Sequence, residues 1–409
     1  MLQFFDSWGV RQMTFKEAKL KREATADESG SIGTSSQRFT FYEFFAGGGM
    51  ARAGLGEDWR CLFANDFDFK KSRTYRQNWG EGQIKTEDVR KLKASDLPEV
   101  ADLVWGSFPC QDLSLAGGGA GLKGDRSGTF WPFWDLMKKL MKEDRAAKVI
   151  VLENVCGTLN SHGGKDFATI CRVFASKGYR CGAVVVDAAL FVPQSRPRLF
   201  IIGVRDDVII PDNLLADGPK IPWHTRALKT AYGNLPAVPR NNWVWWNLRA
   251  PAQRNTRFAD FIEEEPTGVP WHSPEETKRL LDMMSPVNMQ KVLDAKASGV
   301  KTVGAIYKRT RKDAAGFKIQ RAEIRFDEIS GCLRTPAGGS SRQLIMVVEG
   351  NSVRSRLISS RETARLMGLD DDYVLPANYN EAYHLTGDGV VVPVVRHLAE
   401  NIIEPILKC

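Results

Sequence analysis

Short apolar runs alternate with helix-like stretches from residue 39 to about residue 205. Residues 39–45 are a β-rich run that stops at Gly47, Gly48 and Gly49, and residues 50–56 then have the pattern of a short helix. Further strand-like runs are residues 61–64, 101–105, 148–152, 182–186 and 199–204. Strands separated by helices predict right-handed βαβ units, and therefore an α/β fold with a Rossmann-like, mostly parallel sheet. In such sheets ligands bind at the carboxyl ends of the strands.

The regular alternation ends near residue 206, which divides the chain into segments. Residues 1–38 end in small polar side chains and predict a flexible N-terminal tail. Residues 39–205 are the predicted α/β domain, and residues 206–349, with prolines, tryptophans and basic side chains, predict a smaller, irregular domain. Apolar patterning returns in residues 350–409, so we expect this C-terminal segment to rejoin the α/β domain.

The composition is that of a globular protein with more than one core. A chain of 409 residues exceeds what one hydrophobic core usually supports, and its apolar fraction of 43% is typical of globular proteins. The seven cysteines are dispersed and form no C-x-x-C pair, which indicates a reducing compartment and no structural zinc. No apolar run approaches the roughly 18 residues that span a bilayer, so we expect a soluble, intracellular protein. The net charge of +8 favours a polyanionic partner, and a solvated basic surface is the alternative.

Glycines and a carboxylate at the first two predicted strand ends suit a nucleoside cofactor. Gly47 and Gly49, with Gly54 five residues later, depart from the G-x-G-x-x-G dinucleotide pattern, and Asp66 closes the second strand 19 residues after Gly47. The glycines allow the backbone to approach a ligand closely, and the carboxylate can accept hydrogen bonds from both hydroxyls of a ribose. A glycine turn that merely satisfies a tight bend is the alternative.

A cysteine follows the strand-like run 101–105 and is a candidate nucleophile. Cys110 comes directly after a proline, and the glycine-rich loop beyond it contains Lys123 and Arg126. Cations near an exposed thiol favour the thiolate, which is the nucleophilic form. A buried, inert cysteine is the alternative.

A carboxyl group and two arginines stand at neighbouring predicted strand ends. Glu153 ends one apolar run, and Arg196 and Arg198 precede the run 199–204. A helix cap and a turn with exposed arginines are the respective alternatives. Together with the thiol of Cys110, these groups can surround one small planar heterocycle and offer a donor or acceptor to each of its polar edges.

These motifs, in this order, resemble the DNA (cytosine-5)-methyltransferases that use S-adenosylmethionine, over nearly all of residues 39–409. The similar motifs are residues 44–49 for the cofactor loop, Asn65-Asp66 for the ribose site, residues 87–89 for the adenine site, residues 108–111 for the nucleophile, residues 153–155 for the cytosine-holding carboxyl group, and Gln194-x-Arg196-x-Arg198 for a second pyrimidine-holding motif. Residues 356–369 resemble the block that organises the base-recognition domain. Residues 387–393 resemble the last block, which closes over the cofactor.

The resemblance implies covalent catalysis on a cytosine that has rotated out of duplex DNA. The Cys110 thiolate adds to C6, Glu153 stabilises the ring at N3 and Arg198 holds O2; C5 then takes the methyl group and water removes its proton. The implied catalytic residues are Cys110, Glu153, Arg196 and Arg198. The implied cofactor-binding residues are Phe45, Ala46, Gly47, Gly48, Gly49, Met50, Asp66, Phe67, Asp88, Val89, Ser107, Pro109, Thr129, Phe130, Asp388 and Val390.

The resemblance makes residues 39–205 the catalytic, S-adenosylmethionine-binding domain and residues 206–349 the target-recognition domain. The predicted DNA contacts are Gln111, Ser114, Lys123, Arg126, Arg249, Arg254, Arg309, Arg311 and Arg342. Residues 301–325 carry a net charge of +6 and suit phosphate contacts, with a solvated charge run as the alternative. Trp243, Trp245 and Trp246 could face DNA with the nearby arginines, but we favour core packing for at least one of them. Residues 338–342 suit a loop that approaches DNA or a plain hairpin turn.

Two positions depart from the family's pattern, and both bear on the cofactor. Glu43 stands where aspartate is usual, which adds one methylene near the methionine end of the cofactor. Asp388 stands where asparagine is usual, which places a negative charge beside the same pocket. We expect the first change to be mild and the second to affect cofactor affinity.

The implied partners are double-stranded DNA and S-adenosyl-L-methionine, with S-adenosyl-L-homocysteine as product, no metal and no membrane. A monomer in the cytoplasm of a prokaryotic or phage-infected cell is expected. A tRNA cytosine methyltransferase on the same fold is the runner-up, and a catalytically inactive DNA-binding or regulatory member of the family is the non-enzymatic alternative. The sequence leaves open the recognised DNA sequence and membership of a restriction-modification system.

Overall fold

The computed structural model describes residues 38–109, 127–312, 316–334 and 342–409, and a large central sheet organises the first half of them. Its strands are β1 (Phe39–Phe44), β2 (Trp59–Asp66), β3 (Ile84–Thr86), β4 (Leu103–Gly106), β5 (Val149–Val155), β6 (Tyr179–Asp187), β7 (Pro197–Arg205) and β8 (Trp243–Val244). The order across the sheet is β3-β2-β1-β4-β5-β7-β6-β8. β1 to β5 are parallel to one another, whereas β7 runs antiparallel to both β5 and β6. The predicted Rossmann-like, mostly parallel α/β sheet is confirmed.

Apolar side chains on both faces of the sheet explain why its central strands read as continuous apolar runs. The strand period of two sends alternate residues to opposite faces, so Leu103 and Val149 enter one core cluster while Val104 and Ile150 enter another. Four helices follow strands of this half of the chain: α1 (Met50–Leu55), α2 (Phe69–Trp79), α3 (Phe130–Lys142) and α4 (Lys165–Ala175). The predicted short helix after the glycines is α1.

Residues 206–349 contain regular structure that the sequence pattern does not reveal. The helices are α5 (Arg226–Gly233), α6 (Ala237–Asn241), α7 (Pro274–Asp282) and α8 (Pro286–Ala297), and the strands are β9 (Thr302–Lys312), β10 (Lys318–Arg325) and β11 (Leu344–Glu349). With β12 (Ser352–Leu357) these strands form an antiparallel sheet in the order β10-β9-β11-β12. Residues 303–306 of β9 are buried on both faces, but charged side chains on the rest of β9 and on the exposed positions of β10 obscure the apolar alternation.

The C-terminal segment packs against the first helix and second strand of the chain. It contains α9 (Ser360–Leu366), α10 (Tyr379–Asp388), α11 (Val392–Leu398), a π-helical turn (Ala399–Ile403) and α12 (Glu404–Leu407). A Cβ built on Gly54 of α1 would lie 2.4 Å from Val395 Cβ, and Trp59 Nε1 donates a hydrogen bond of 3.0 Å to Glu404 Oε1. Among the described helices, none is long and apolar enough to cross a membrane.

Candidate active site

The glycine loop between β1 and α1 is clamped by side chains from other elements. Gly47 N donates to Asp66 Oδ2 at 2.8 Å, and the carbonyl oxygen of Gly48 accepts hydrogen bonds from Trp79 Nε1 and Tyr373 Oη. A Cβ on Gly48 would lie 2.3 Å from Tyr373 Oη, whereas no described heavy atom lies within 4 Å of a Cβ built on Gly47. The loop is therefore fixed from one side and open on the other, as a backbone that a ligand approaches must be.

Of the predicted cofactor residues, residues 45–50, 66–67 and 88–89 lie at the carboxyl ends of β1, β2 and β3. Asp66 is 6% exposed and also accepts a hydrogen bond from Asp68 N at 2.8 Å, so two backbone amides fix its carboxylate beside the glycine loop. Burial raises the pKa of Asp66, and Lys71 opposes that rise. Phe67 is 70% exposed. Asp88 follows β3 and accepts from Arg90 N at 2.9 Å.

Glu43 is an acidic group buried beneath this loop. It is 1% exposed, its carboxyl group accepts hydrogen bonds from the N–H groups of Ala51 and Arg52 in the first turn of α1, and its Oε2 has no hydrogen-bond partner among the described residues. Burial raises the pKa of Glu43 to about 8, although the Arg52 guanidinium opposes the rise. Glu43 therefore caps the helix of the glycine loop as a largely neutral acid at pH 7.

A second buried carboxyl group lies at the end of β5. Glu153 Oε1 is 3.2 Å from Arg198 Nε, and Glu153 also shares a hydrogen bond with Ser107, which follows β4. Burial raises the pKa of Glu153, while Arg198 and Arg196 lower it. Burial therefore shifts this carboxyl group towards its protonated form, and a protonated carboxyl group can donate a hydrogen bond to a ring nitrogen.

The segment that leads to Cys110 is tied to the same strand end. Asn154 Nδ2 donates to the carbonyl oxygen of Phe108 at 3.1 Å, and the rings of Phe108 and Phe130 are 5.5 Å apart. Phe130 is fully buried at the start of α3. The chain is thus positioned as far as Pro109. The predicted residues Cys110, Gln111, Ser114, Lys123 and Arg126 lie outside the described residues.

Arg196 is buried and bonded to main-chain groups of two distant segments. Its Nη1 donates to Leu333 O at 3.2 Å, and its Nη2 donates to Gly387 O and Gly389 O, each at 2.8 Å. Cys332 Sγ is 3.2 Å from Arg196 Nη1; although burial opposes ionisation, Arg196 and Arg198 lower the pKa of Cys332. Arg196 therefore holds the backbone segments around the site in place, and Arg198 faces Glu153.

The predicted DNA contacts that the structure describes are spread over several elements. Arg309 and Arg311 are exposed on β9, and Arg342 pairs with Asn380. Arg254 Nε donates to Ala189 O at 3.0 Å, and Arg249 is exposed. The predicted tryptophans pack internally: Trp246 is fully buried, and Trp243 and Trp245 are half-buried with ring centroids 5.4 Å apart.

Several residues that no sequence motif marks also shape the site, above all Lys71, Tyr373 and Cys332. Lys71 Nζ is 2.7 Å from Asp388 Oδ2, a residue 317 positions away. No local signal marks such pairs, because each partner belongs to an ordinary helix or loop and the contact depends on the tertiary fold. In the described parts of the chain, no group of three or more His, Cys, Asp or Glu side chains could hold a metal ion.

The sheet thus gathers a clamped glycine loop, the buried Asp66 carboxylate and the buried Glu153–Arg198 pair at the carboxyl ends of its parallel strands, where such sheets bind their ligands. The model of the C-5 cytosine-specific DNA methylase family matches residues 39–404, and the chain belongs to this family of DNA (cytosine-5)-methyltransferases.

Known proteins with similar sequences include Type II methyltransferases. M.MspI of Moraxella is 25% identical over 403 residues, which are 98% of this chain and 78% of that protein. M.DsaV of Dactylococcopsis salina is 26% identical over 369 residues, 90% of this chain and 86% of that protein. Among solved structures, the Entamoeba histolytica methyltransferase EhMeth superposes with a TM-score of 0.58 at 12% identity, covering 90% of this chain and 98% of that one, and supports the fold.

Replacement of Glu43 by glutamine should stabilise the protein increasingly as the pH rises. The native pKa of about 8 exceeds the ordinary value of 4.5, so between these values unfolding releases a proton and the free energy of unfolding falls by at most about 1.4 kcal/mol per pH unit. Below pH 4.5 the contribution of the Glu43 carboxyl group to the free energy of unfolding is fully present, and it is lost by about pH 8. Glutamine does not titrate, so we expect the stability difference between Glu43→Gln and wild type to grow over this range.

Urea unfolding at unit pH steps from 5 to 9 measures the difference. Glu57→Gln, at an exposed position, is the control and should follow the wild-type profile. A Glu43→Gln difference that does not vary with pH would show that the buried carboxyl group is not the titrating one.

Proposed function

We propose that the enzyme transfers a methyl group from S-adenosylmethionine to C5 of a cytosine that is flipped out of a specific duplex sequence. The single observation that carries the proposal is the convergence of the glycine loop, the Glu153–Arg198 pair and the chain leading to Cys110 at one edge of the sheet. Chemical groups for the cofactor and for a pyrimidine thus meet where parallel strands end.

Cytosine C5 is a poor nucleophile, and addition of a thiolate overcomes this. The Cys110 thiolate forms a bond to C6, and the electron pair of the C5–C6 double bond moves towards C5 and the ring. C5 then forms its bond to the methyl carbon, and the carbon–sulfur bond of the donor breaks with its electrons. Loss of the C5 proton to water returns the electron pair to the C5–C6 bond and expels the thiolate.

Glu153 and Arg198 bind the ring in this proposal. The carboxyl group, with its raised pKa, donates a hydrogen bond to N3 and so stabilises the negative charge that develops when C6 is attacked. Arg198, 3.2 Å from Glu153, holds O2 on the adjacent edge of the base. None of these groups reaches C6 within stacked DNA, so the base must rotate out at a cost of a few kcal/mol.

The described residues fit S-adenosylmethionine, which when bound supplies an electrophilic methyl group. Open space beside Gly47 admits the ligand to the backbone, and the Asp66 carboxylate keeps lone pairs for ribose hydroxyls beyond those used by Gly47 N and Asp68 N. The exposed Phe67 ring offers a face for the adenine. We assign the rim of this site to Val89 after β3, Ser107 after β4 and Thr129 directly before α3.

Lys71 compensates the negative charge that Asp388 brings to this site. It is a neighbour of Asp66 and pairs with Asp388, and although burial opposes protonation, Asp388 and Asp66 raise the pKa of Lys71. Glu381 of α10 adds pairs with Lys70 and Arg73 of α2. Cations on α2 and anions on α10 therefore hold the C-terminal segment against the cofactor loop. Lys71 balances the negative charge of Asp388 in this arrangement.

We assign the reaction to chromosomal or phage DNA in the cytoplasm of a prokaryotic cell, which the relatives named as Type II methyltransferases support. The relatives' designation also supports a place in a restriction-modification system. We propose that the enzyme acts as a monomer. Residues 206–349, which contain the basic strands β9 and β10, are the proposed target-recognition domain.

Cys110→Ser should abolish covalent trapping on DNA that contains 5-fluorocytosine. Fluorine at C5 cannot leave as a proton, so the wild-type enzyme remains bonded to C6 after methyl transfer. The probe is a randomised duplex with 5-fluorocytosine replacing cytosine, incubated with S-adenosylmethionine and run on a denaturing gel. The serine variant should bind duplex DNA as wild type does and give no shifted band.

Glu153→Gln is the matched variant for this assay. It keeps the nucleophile, so it should form the same adduct with a rate lowered about 10²- to 10⁴-fold, the usual contribution of a general acid. A shifted band from Cys110→Ser would remove Cys110 as the nucleophile. Retardation of DNA by wild type with no adduct under any condition would favour the inactive, DNA-binding alternative.

Duplex DNA should receive far more methyl label than tRNA when the two are present together in a methyl-transfer assay. The two polyanions are supplied at equal nucleotide concentration with radiolabelled cofactor, and the products are separated by nuclease treatment. We expect the label in DNA. β9 and β10 belong to a sheet separate from the central one, and their basic side chains suit a duplex groove. Label found chiefly in tRNA would replace the proposed substrate.

Lys71→Met should weaken binding of S-adenosylhomocysteine roughly three- to tenfold, because it leaves Asp388 and Asp66 without their shared cation. The double variant Lys71→Met/Asp388→Asn should recover part of the affinity, since the unpaired charge is removed. Isothermal titration calorimetry measures both.

Lys278→Met, which breaks an exposed pair with Asp282 on α7, is the control and should bind S-adenosylhomocysteine as wild type does. Additive effects of the Lys71 and Asp388 substitutions would contradict the coupling.

A further inference from the structure

The distal half of the β9–β10 hairpin is a two-stranded basic ribbon. β11 pairs with β9 over residues 302–306, and beyond them β10 is the one described neighbour of β9. The basic residues of this ribbon are Lys308, Arg309, Arg311, Lys312, Lys318 and Arg321. A twisted two-stranded ribbon has the width that the DNA major groove accepts.

Arginines and lysines lie on opposite faces of the ribbon. The antiparallel register pairs Tyr307 with Glu323 and Arg309 with Arg321, so these four residues and Arg311 share one face. The other face carries Lys308, Lys312 and Lys318. Towards the base of the hairpin, this second face is buried by Ile306, Ala322 and Ile324 in a cluster with residues of α7 and α8.

The arginine face is continuous with the candidate active site. Tyr307 lies against Gly331, where a Cβ would come within 1.5 Å of Tyr307 Oη. The next residue, Cys332, contacts Arg196 through its sulfur at 3.2 Å. Because Arg198 of the Glu153–Arg198 pair also acts on Cys332, DNA whose cytosine reaches this pair meets the face of the ribbon that carries Arg309 and Arg311.

One carboxylate orients both of these arginines. Arg311 Nε donates to Glu323 Oε1 at 2.6 Å, and Arg309 Nε is 3.4 Å from Glu323 Oε2. Arg309 also lies over the Tyr307 ring, 5.4 Å from its centroid. A guanidinium fixed by a carboxylate and a ring loses less rotamer freedom on binding than a free one.

We propose that the ribbon enters the major groove with its arginine face, where Arg309 and Arg311, oriented by Glu323, read guanines beside the target cytosine. The inference rests on the proposed function and extends it to sequence specificity. Arginine suits guanine because its planar fork donates to O6 and N7 together, which a lysine ammonium does not reproduce. Lys308, Lys312 and Lys318 on the other face contact phosphates, which position the ribbon without reading sequence.

The experiment compares which duplex sequences each variant methylates. A library with randomised bases around a central cytosine is treated with enzyme and cofactor, converted with bisulfite and sequenced. Arg309→Lys and Arg311→Lys keep the positive charge and lose the fork, so each should reduce the preference for guanine at one position roughly tenfold. Glu323→Gln should relax the same positions, because both arginines lose their fixed orientation.

Lys318→Met provides the contrasting variant. It should lower methylation of all library members alike and reduce the slope of log affinity against log salt by about one, whereas the arginine-to-lysine variants should leave that slope unchanged. Wild-type preference profiles for both arginine variants would overturn the inference, as would a changed base preference in Lys318→Met alone.

A separate measurement distinguishes failure of the inference from failure of the proposed function. Binding of S-adenosylhomocysteine and trapping on 5-fluorocytosine DNA are measured for every variant. Each variant should still bind S-adenosylhomocysteine and should still form the covalent adduct. A wild-type enzyme that methylates no duplex in the library overturns the proposed function and the inference with it. Methylation by wild type without any guanine preference overturns the inference alone.

Discussion

The register of three neighbouring strands is the constraint on which the candidate active site depends. β4 is parallel to β5, with Gly106 opposite Leu152, so the chain that leaves β4 runs beside Glu153. β7 is antiparallel to β5, with Arg198 opposite Val155, so β7 begins where β5 ends. A shift of one residue in either pairing would send these side chains to the other face of the sheet. The buried Glu153–Arg198 pair exists because the backbone ladders exclude such a shift.

Much of this arrangement could be predicted from sequence, because strand ends are visible as the points where apolar runs meet polar residues. Asp66, Glu153 and Gly47 all stand at such points, and the structure places them at one edge. The reversed direction of β7 was not predictable, since an apolar run reads the same whichever way the strand runs. Its direction matters most for Arg198, which would otherwise lie at the far edge.

The second sheet and the long-range ion pairs show a different limit. On β9 and β10 the exposed face is so rich in charge that the sequence reads as an irregular basic segment, although Ile306 and Ile324 are fully or almost fully buried. The pair between Lys71 and Asp388 joins helices 317 residues apart. The sequence gives reason to question Asp388 and no reason to connect it with Lys71, because charge compensation is decided by proximity in the folded chain.

Arg196 links the two halves of the site through a single guanidinium. Its bonds to Gly387 O and Gly389 O fix the segment that borders the glycine loop and α1, and its bond to Leu333 O fixes the segment against which the basic β9–β10 ribbon packs. A buried guanidinium cannot exchange these carbonyls for water, so displacement of either segment leaves its donors unsatisfied at a cost of about 1–3 kcal/mol for each lost bond. The positions of these two segments are therefore energetically coupled through one side chain.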